Sequence, residues 1–124
     1  MSTFLIIGLG GFFGANARYL ISGWAAERFG TAFPWATLLI NLSGSFLLAV
    51  FLGWAGKQAA FDPRLRLLVA VGFFGAYTTF STYANESITM LLAGNWIGAA
   101  GNVLASNALC LAGVGAGLVV AQRL

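Results

Sequence analysis

The chain has 124 residues, of which 60% are hydrophobic and 7% charged, where a soluble domain gives about a quarter of its positions to charge. A soluble globule of this size cannot hide so much apolar surface, because small domains bury the smallest fraction of their area, so lipid is the expected solvent. The net charge of +3 comes from six Lys or Arg against three acids; with no basic cluster it excludes a nucleic-acid footprint and carries topology information instead.

There is no His and one Cys, which excludes disulfides within a chain and His/Cys metal sites. Met1-Ser2-Thr3 opens the chain without a basic stretch or a small-residue cleavage site, so the first apolar run is expected to be a retained helix and not a signal peptide. Four apolar segments follow, at about 4–24, 34–55, 67–93 and 96–121, separated by short polar breaks. Each reaches the roughly 20 residues needed to cross about 30 Å of hydrocarbon. Trp24, Trp35, Trp54 and Trp96 fall at segment ends, where amphipathic rings prefer the membrane interface. Nothing has the alternation of a barrel strand, so the expected fold is an all-α membrane protein of four transmembrane helices in a single domain over 1–124. An even number of spans puts both termini on one side. Lys57, Arg64, Arg66 and Arg123 would share that side, against Arg28 and Arg18, a mild bias toward cytoplasmic termini that leaves room for insertion both ways.

The first segment carries Gly10 and Gly14 at the small-xxx-small spacing of packed membrane helices. The run Gly8-Leu9-Gly10-Gly11-Phe12-Phe13-Gly14 does not make a dinucleotide loop, since its third glycine is a residue late and no strand precedes it. Arg18 lies about a turn and a half from the expected end of this span; it either snorkels to the interface or points inward and attracts anions. The second segment places Thr37, Asn41 and Ser45 on one helical face, with Gly44 beside it.

The third segment is abnormal for a lipid-facing helix. Gly75 followed by β-branched Thr78 and Thr79 is a poor helix interior, so a break is expected near residues 75–79. Backbone freed at membrane depth must find partners in protein, water or an ion. Asn85 and Glu86 lie in the same stretch, and an ionisable group within a span is a functional candidate. The fourth segment repeats the polar stripe with Gly98, Asn102, Ser106 and Cys110, continued by Gly113 and Gly117. Such stripes are either packing glue between helices or an uncharged polar track that suits conduction. Without His no nucleophile–base pair can be assembled, and three scattered acids do not suggest hydrolysis; an enzyme is not expected.

The third segment resembles the signature of the Fluc/CrcB fluoride channels, G-x-x-G-G-x-T-T-F-S-T-F-x-x-E. It stands here as Gly72, Gly75, Thr78, Thr79, Phe80, Ser81, Thr82, Tyr83 and Glu86. Gly14 with Arg18-Tyr19, Pro34 with Thr37 and Asn41, and Asp62-Pro63 extend the resemblance over most of the chain. Two positions depart from it, Ala76 for the second Gly and Tyr83 for the second Phe.

The resemblance implies an antiparallel, dual-topology homodimer with a broken third helix, two fluoride pores at the dimer interface, and passive fluoride export through the cell inner (plasma) membrane. It implies one structural Na⁺ held by the carbonyls of Gly75 and Thr78 from both subunits. Phe80 and Tyr83 would line the pores, and Asn41 would donate its amide to the anion. Ser81, Thr82, Asn102 and Ser106 would extend the polar track, with Arg18 at a vestibule and Glu86 near the path. The chemistry is sound in itself, since ring edges, amide N–H groups and hydroxyls can all meet a bare anion without a fixed positive charge. A small dual-topology multidrug exporter would want an acid in the first span, where Arg18 stands. A non-transporting membrane subunit would carry no ion flux when purified.

Overall fold

A computed structural model describes residues 2–124 of the chain. Helix α1 spans Thr3–Phe29, started by the Ser2 hydroxyl accepting the Leu5 N–H and ended at Gly30, whose φ of 76° takes the chain out of the helix. Helix α2 spans Trp35–Ala55. Asp62 caps α3, Pro63–Arg66, by accepting the Arg64 N–H at 2.8 Å, with Pro at the position where a missing N–H costs nothing. The backbone continues as a π-helix over Leu67–Phe74 and as the short α4, Gly75–Tyr77. Thr78 and Thr79 are extended, and α5, Phe80–Leu92, restarts the helix. A turn at Gly94, φ 82°, leads to α6, Trp96–Arg123. No strand occurs among the described residues, and four helices are long and apolar enough to cross a membrane, the third counted as Pro63–Leu92.

Two close pairings organise the bundle. Helix α1 lies against the π-helical stretch and α4, and α2 lies along α6. Both depend on glycine. A Cβ on Gly10 would run into the Leu68 carbonyl oxygen, one on Gly14 into that of Phe73, and one on Gly72 into that of Ile7. The backbones therefore touch, as the Gly10/Gly14 spacing predicts. Gly117 meets the Phe46 carbonyl in the same way, and Gly44 admits Thr78 and Tyr77 against α2. A core of Ile40, Phe74 and Tyr77 sits between α1, α2 and the third span, flanked by Ala17, Ile21, Leu48, Val69 and Phe73. Outward, large apolar side chains such as Phe12, Leu104 and Ile97 are exposed, which suits lipid as the surrounding medium.

Two helices run beyond the expected apolar segments. Helix α1 does not stop near residue 24 but continues to Phe29, with Glu27 and Arg28 inside its last turns. Arg18 therefore lies about three turns from the end of the helix, at 1.5 Å per residue about 16 Å away. The third span begins at Pro63, four residues early. The break falls within the expected stretch 75–79: Gly75 stays helical at φ −63°, ψ −33°, and the interruption is confined to Thr78 and Thr79.

Candidate functional site

The interruption is held by a residue of another helix. Asn41 on α2 accepts the Thr79 N–H at 2.8 Å and donates its Nδ2–H to the Thr79 carbonyl at 3.0 Å. This two-point grip satisfies the backbone that the break exposes, which lipid cannot do. In a continuous helix the Thr79 N–H would serve the Gly75 carbonyl; diverted to Asn41, it leaves that carbonyl without its usual donor. The same happens one step on. The Thr82 N–H, four residues past Thr78, donates to the Thr79 hydroxyl at 3.2 Å as α5 is capped.

Around this point the side chains of α5 fan out to different sides. Phe80 and Tyr83 face a cavity of about 310 Å³ lined also by Asn41, Ser45, Thr78, Thr79, Ser106 and Cys110. Their rings are 5.4 Å apart and inclined at 57°. Phe80 is 77% exposed within a single chain. No charged side chain lines this cavity. Thr79 and Thr82 also face a second cavity, about 290 Å³, together with Arg18, Ser22 and Thr37. Arg18 is half-buried on the wall of this cavity. Glu86 turns to a third cavity, beside Asn85, Pro34 and Trp35. Its Oε1 accepts the Thr37 hydroxyl at 2.8 Å, while its buried Oε2 has no hydrogen-bond partner among the described residues.

Asn41, Phe80, Tyr83 and Ser106 are thus brought together, Arg18 and Thr82 meet next door, and Glu86 lies apart. Ser81 is exposed, and its one side-chain hydrogen bond among the described residues is with the Thr79 hydroxyl, at 3.4 Å. Asn102 is fully buried and off the cavity. It donates to the Ser87 hydroxyl at 2.9 Å, accepts the Ser106 hydroxyl at 3.2 Å, and so locks α6 to α5. Thr79 is legible in the sequence only as part of the break, and Ser87 and Asn107 are not singled out by it. Asn107 sits one position past the Asn102/Ser106 stripe, so helical spacing hides it, yet its amide meets the Tyr83 hydroxyl at 2.9 Å. The hydroxyl of Tyr83 was the available signal, since a phenol at membrane depth needs a partner.

The Asn41 brace can be measured. Asn41→Leu should lower stability by roughly 2–4 kcal/mol, because it strands a buried N–H and a C=O together. Unfolding in detergent, compared with a Ser43→Ala control that leaves Thr79 untouched, checks this.

The family model described as "CrcB-like protein, Camphor Resistance (CrcB)" matches residues 5–118. The chain is 55% identical over 118 residues to the fluoride-specific ion channel FluC of Koribacter versatilis (strain Ellin345), covering 94% of each chain. It is 42% identical over 124 residues to FluC of Geobacter sulfurreducens, covering the whole of both. To FluC of Shewanella sp. (strain ANA-3) it is 44% identical over 111 residues, covering 90% of this chain and 89% of the other. With the braced interruption at Thr78–Thr79 and relatives of this similarity along nearly its whole length, the chain belongs to the CrcB family.

Proposed function

We propose that this chain is a fluoride-specific channel that lets F⁻ leave the cytoplasm passively through the inner membrane. The carrying observation is the uncharged cavity at the break, where Asn41, Phe80, Tyr83 and Ser106 converge. Amide and hydroxyl donors with ring edges can replace an anion's hydration shell, and without a fixed positive charge they release it again. An inside-negative potential supplies the direction, about 2.3 kcal/mol per charge per 100 mV. The names of the relatives support fluoride as the ion.

Two antiparallel copies form the conducting unit. Phe80 is largely uncovered in one chain, and a second copy would close the open side of the cavity. The weak charge bias between the loops permits both orientations. A structural Na⁺ fits the backbone at the break: the carbonyls of Gly75 and Thr78 lack the amide donors that a continuous helix supplies, and bare carbonyl oxygens suit a hard cation. One chain offers two such oxygens, too few for a closed shell, and two chains offer four. The Na⁺ would tie the two interruptions together without entering the conduction path.

The test is fluoride efflux from proteoliposomes, followed with an ion electrode beside a chloride control, with the mass of the purified complex measured in parallel. Fast fluoride loss, retained chloride and a two-chain mass are expected. Vesicles that keep their fluoride would sink the proposal, and a monomeric mass would remove the dimer.

A further inference from the structure

Tyr83 is tied to α6 at both ends, directly through its hydroxyl and through Ser87 of its own helix at its backbone. Its backbone carbonyl accepts the Ser87 hydroxyl at 2.8 Å, and Ser87 in turn accepts the Asn102 amide at 2.9 Å. Its phenol oxygen lies 2.9 Å from Asn107 Nδ2, and the same nitrogen is 2.8 Å from the Val103 carbonyl oxygen. That second contact decides the polarity of the first. A carbonyl oxygen can only accept, so the Asn107 atom facing Val103 is the amide nitrogen, and it donates one hydrogen to each neighbour. Both hydrogens are then committed and the Tyr83 oxygen is an acceptor. Its own O–H hydrogen meets no acceptor among the described residues.

We infer that Asn107 is a positioning residue that holds Tyr83 as a directed O–H donor for the passing anion. The inference rests on the fluoride conduction proposed above. Tyr83 lines the cavity shared with Phe80, Asn41 and Ser106, so its free hydrogen belongs to a group already facing that space. A hydroxyl that accepts one hydrogen bond donates a stronger second one, and donation to an anion is roughly twice as strong as to a neutral acceptor. Fluoride, the smallest halide, gains most from such a donor. The second aromatic station of the path therefore offers a hydrogen bond in addition to a ring edge; Asn107 lines the same cavity, but with both amide hydrogens committed it contributes to selectivity through Tyr83. A purely structural Asn107–Tyr83 pin between α5 and α6 would affect stability and leave ion preference alone.

Tyr83→Phe, Asn107→Leu and the double variant, reconstituted beside the parent chain, separate these roles. Tyr83→Phe should slow fluoride efflux about tenfold with chloride leak unchanged, and Asn107→Leu should slow it about threefold. The double variant should match Tyr83→Phe, since Asn107 acts only through the hydroxyl. Ultraviolet resonance Raman of the detergent-solubilised protein, with Tyr83→Phe subtracted to remove Tyr19 and Tyr77, gives a readout independent of flux. Without fluoride the Tyr83 signal should be that of an accepting phenol, lost in Asn107→Leu, and added fluoride should turn it into one that also donates. Fluoride flux in Tyr83→Phe within twofold of the parent overturns the inference, as does an equal Asn107→Leu loss in the Tyr83→Phe background. A parent that carries no fluoride refutes the channel as well; a conducting parent with an indifferent Tyr83→Phe variant refutes only the donor role.

Discussion

Phe80→Ile is expected to bring fluoride efflux down to the leak of empty vesicles while the protein still folds and assembles. Phe80 opens α5 directly after the interruption and is 77% exposed in the single chain, so little intrachain packing depends on it. Among the described residues its only close ring partner is Tyr83, at 5.4 Å. Substitution at such an exposed position normally shifts stability by less than about 0.5 kcal/mol. The effect on conduction is of another size. A bare halide within the membrane has no water to fall back on, and an uncompensated buried charge costs several kcal/mol. Ile keeps the apolar bulk but has no positive ring edge. If about 3 kcal/mol of coordination is lost at one station, the rate falls by about a hundredfold. Gel filtration beside the flux assay distinguishes a blocked pore from a collapsed one; a well-assembled variant with parental flux would disprove the assignment of Phe80 to the path.

Gly10→Ala should destabilise the fold by at least about 3 kcal/mol, near the upper range for overpacking in a close-packed core. The new methyl group has nowhere to go. It would overlap the Leu68 carbonyl oxygen and come within 2.9 Å of the Phe73 nitrogen and 3.0 Å of the Gly72 Cα. These are backbone atoms, so relief requires α1 to move off the π-helical stretch. The matched control is Gly8→Ala on the same helix, where a Cβ meets nothing within 4 Å; it should be neutral or stabilise by up to about 1 kcal/mol through helix propensity. Unfolding in mixed detergent compares the pair. Equal stability of the two variants would mean that backbone contact between α1 and the third span is not what holds them together.

The polar stripes illustrate how far helical spacing reaches. Thr37, Asn41 and Ser45 do share a face, but they serve different ends: Thr37 holds Glu86, Asn41 braces Thr79, and Ser45 lines the cavity. On α6 the stripe splits between a buried lock at Asn102 and a cavity wall at Ser106 and Cys110. Spacing identifies a face without saying what lies opposite each member. Asn107, off the stripe by one residue, meets Tyr83 only because α5 packs against α6, and no local pattern encodes that approach.

The sequence by itself determined the solvent, the number of spans and the glycine contacts of α1, because these follow from apolar content, segment length and residue size, which are local properties. It also marked the third span as interrupted, since Gly75, Thr78 and Thr79 disfavour an unbroken helix. Where the helix parts, and what is exposed there, only the tertiary structure decided. Gly75 stays helical while Thr78 and Thr79 extend, because Asn41, 38 positions away, captures the amide that would have closed the turn. Two helices had to pack before that hydrogen bond existed, so the position of the break belongs to the contact between them and not to either segment alone.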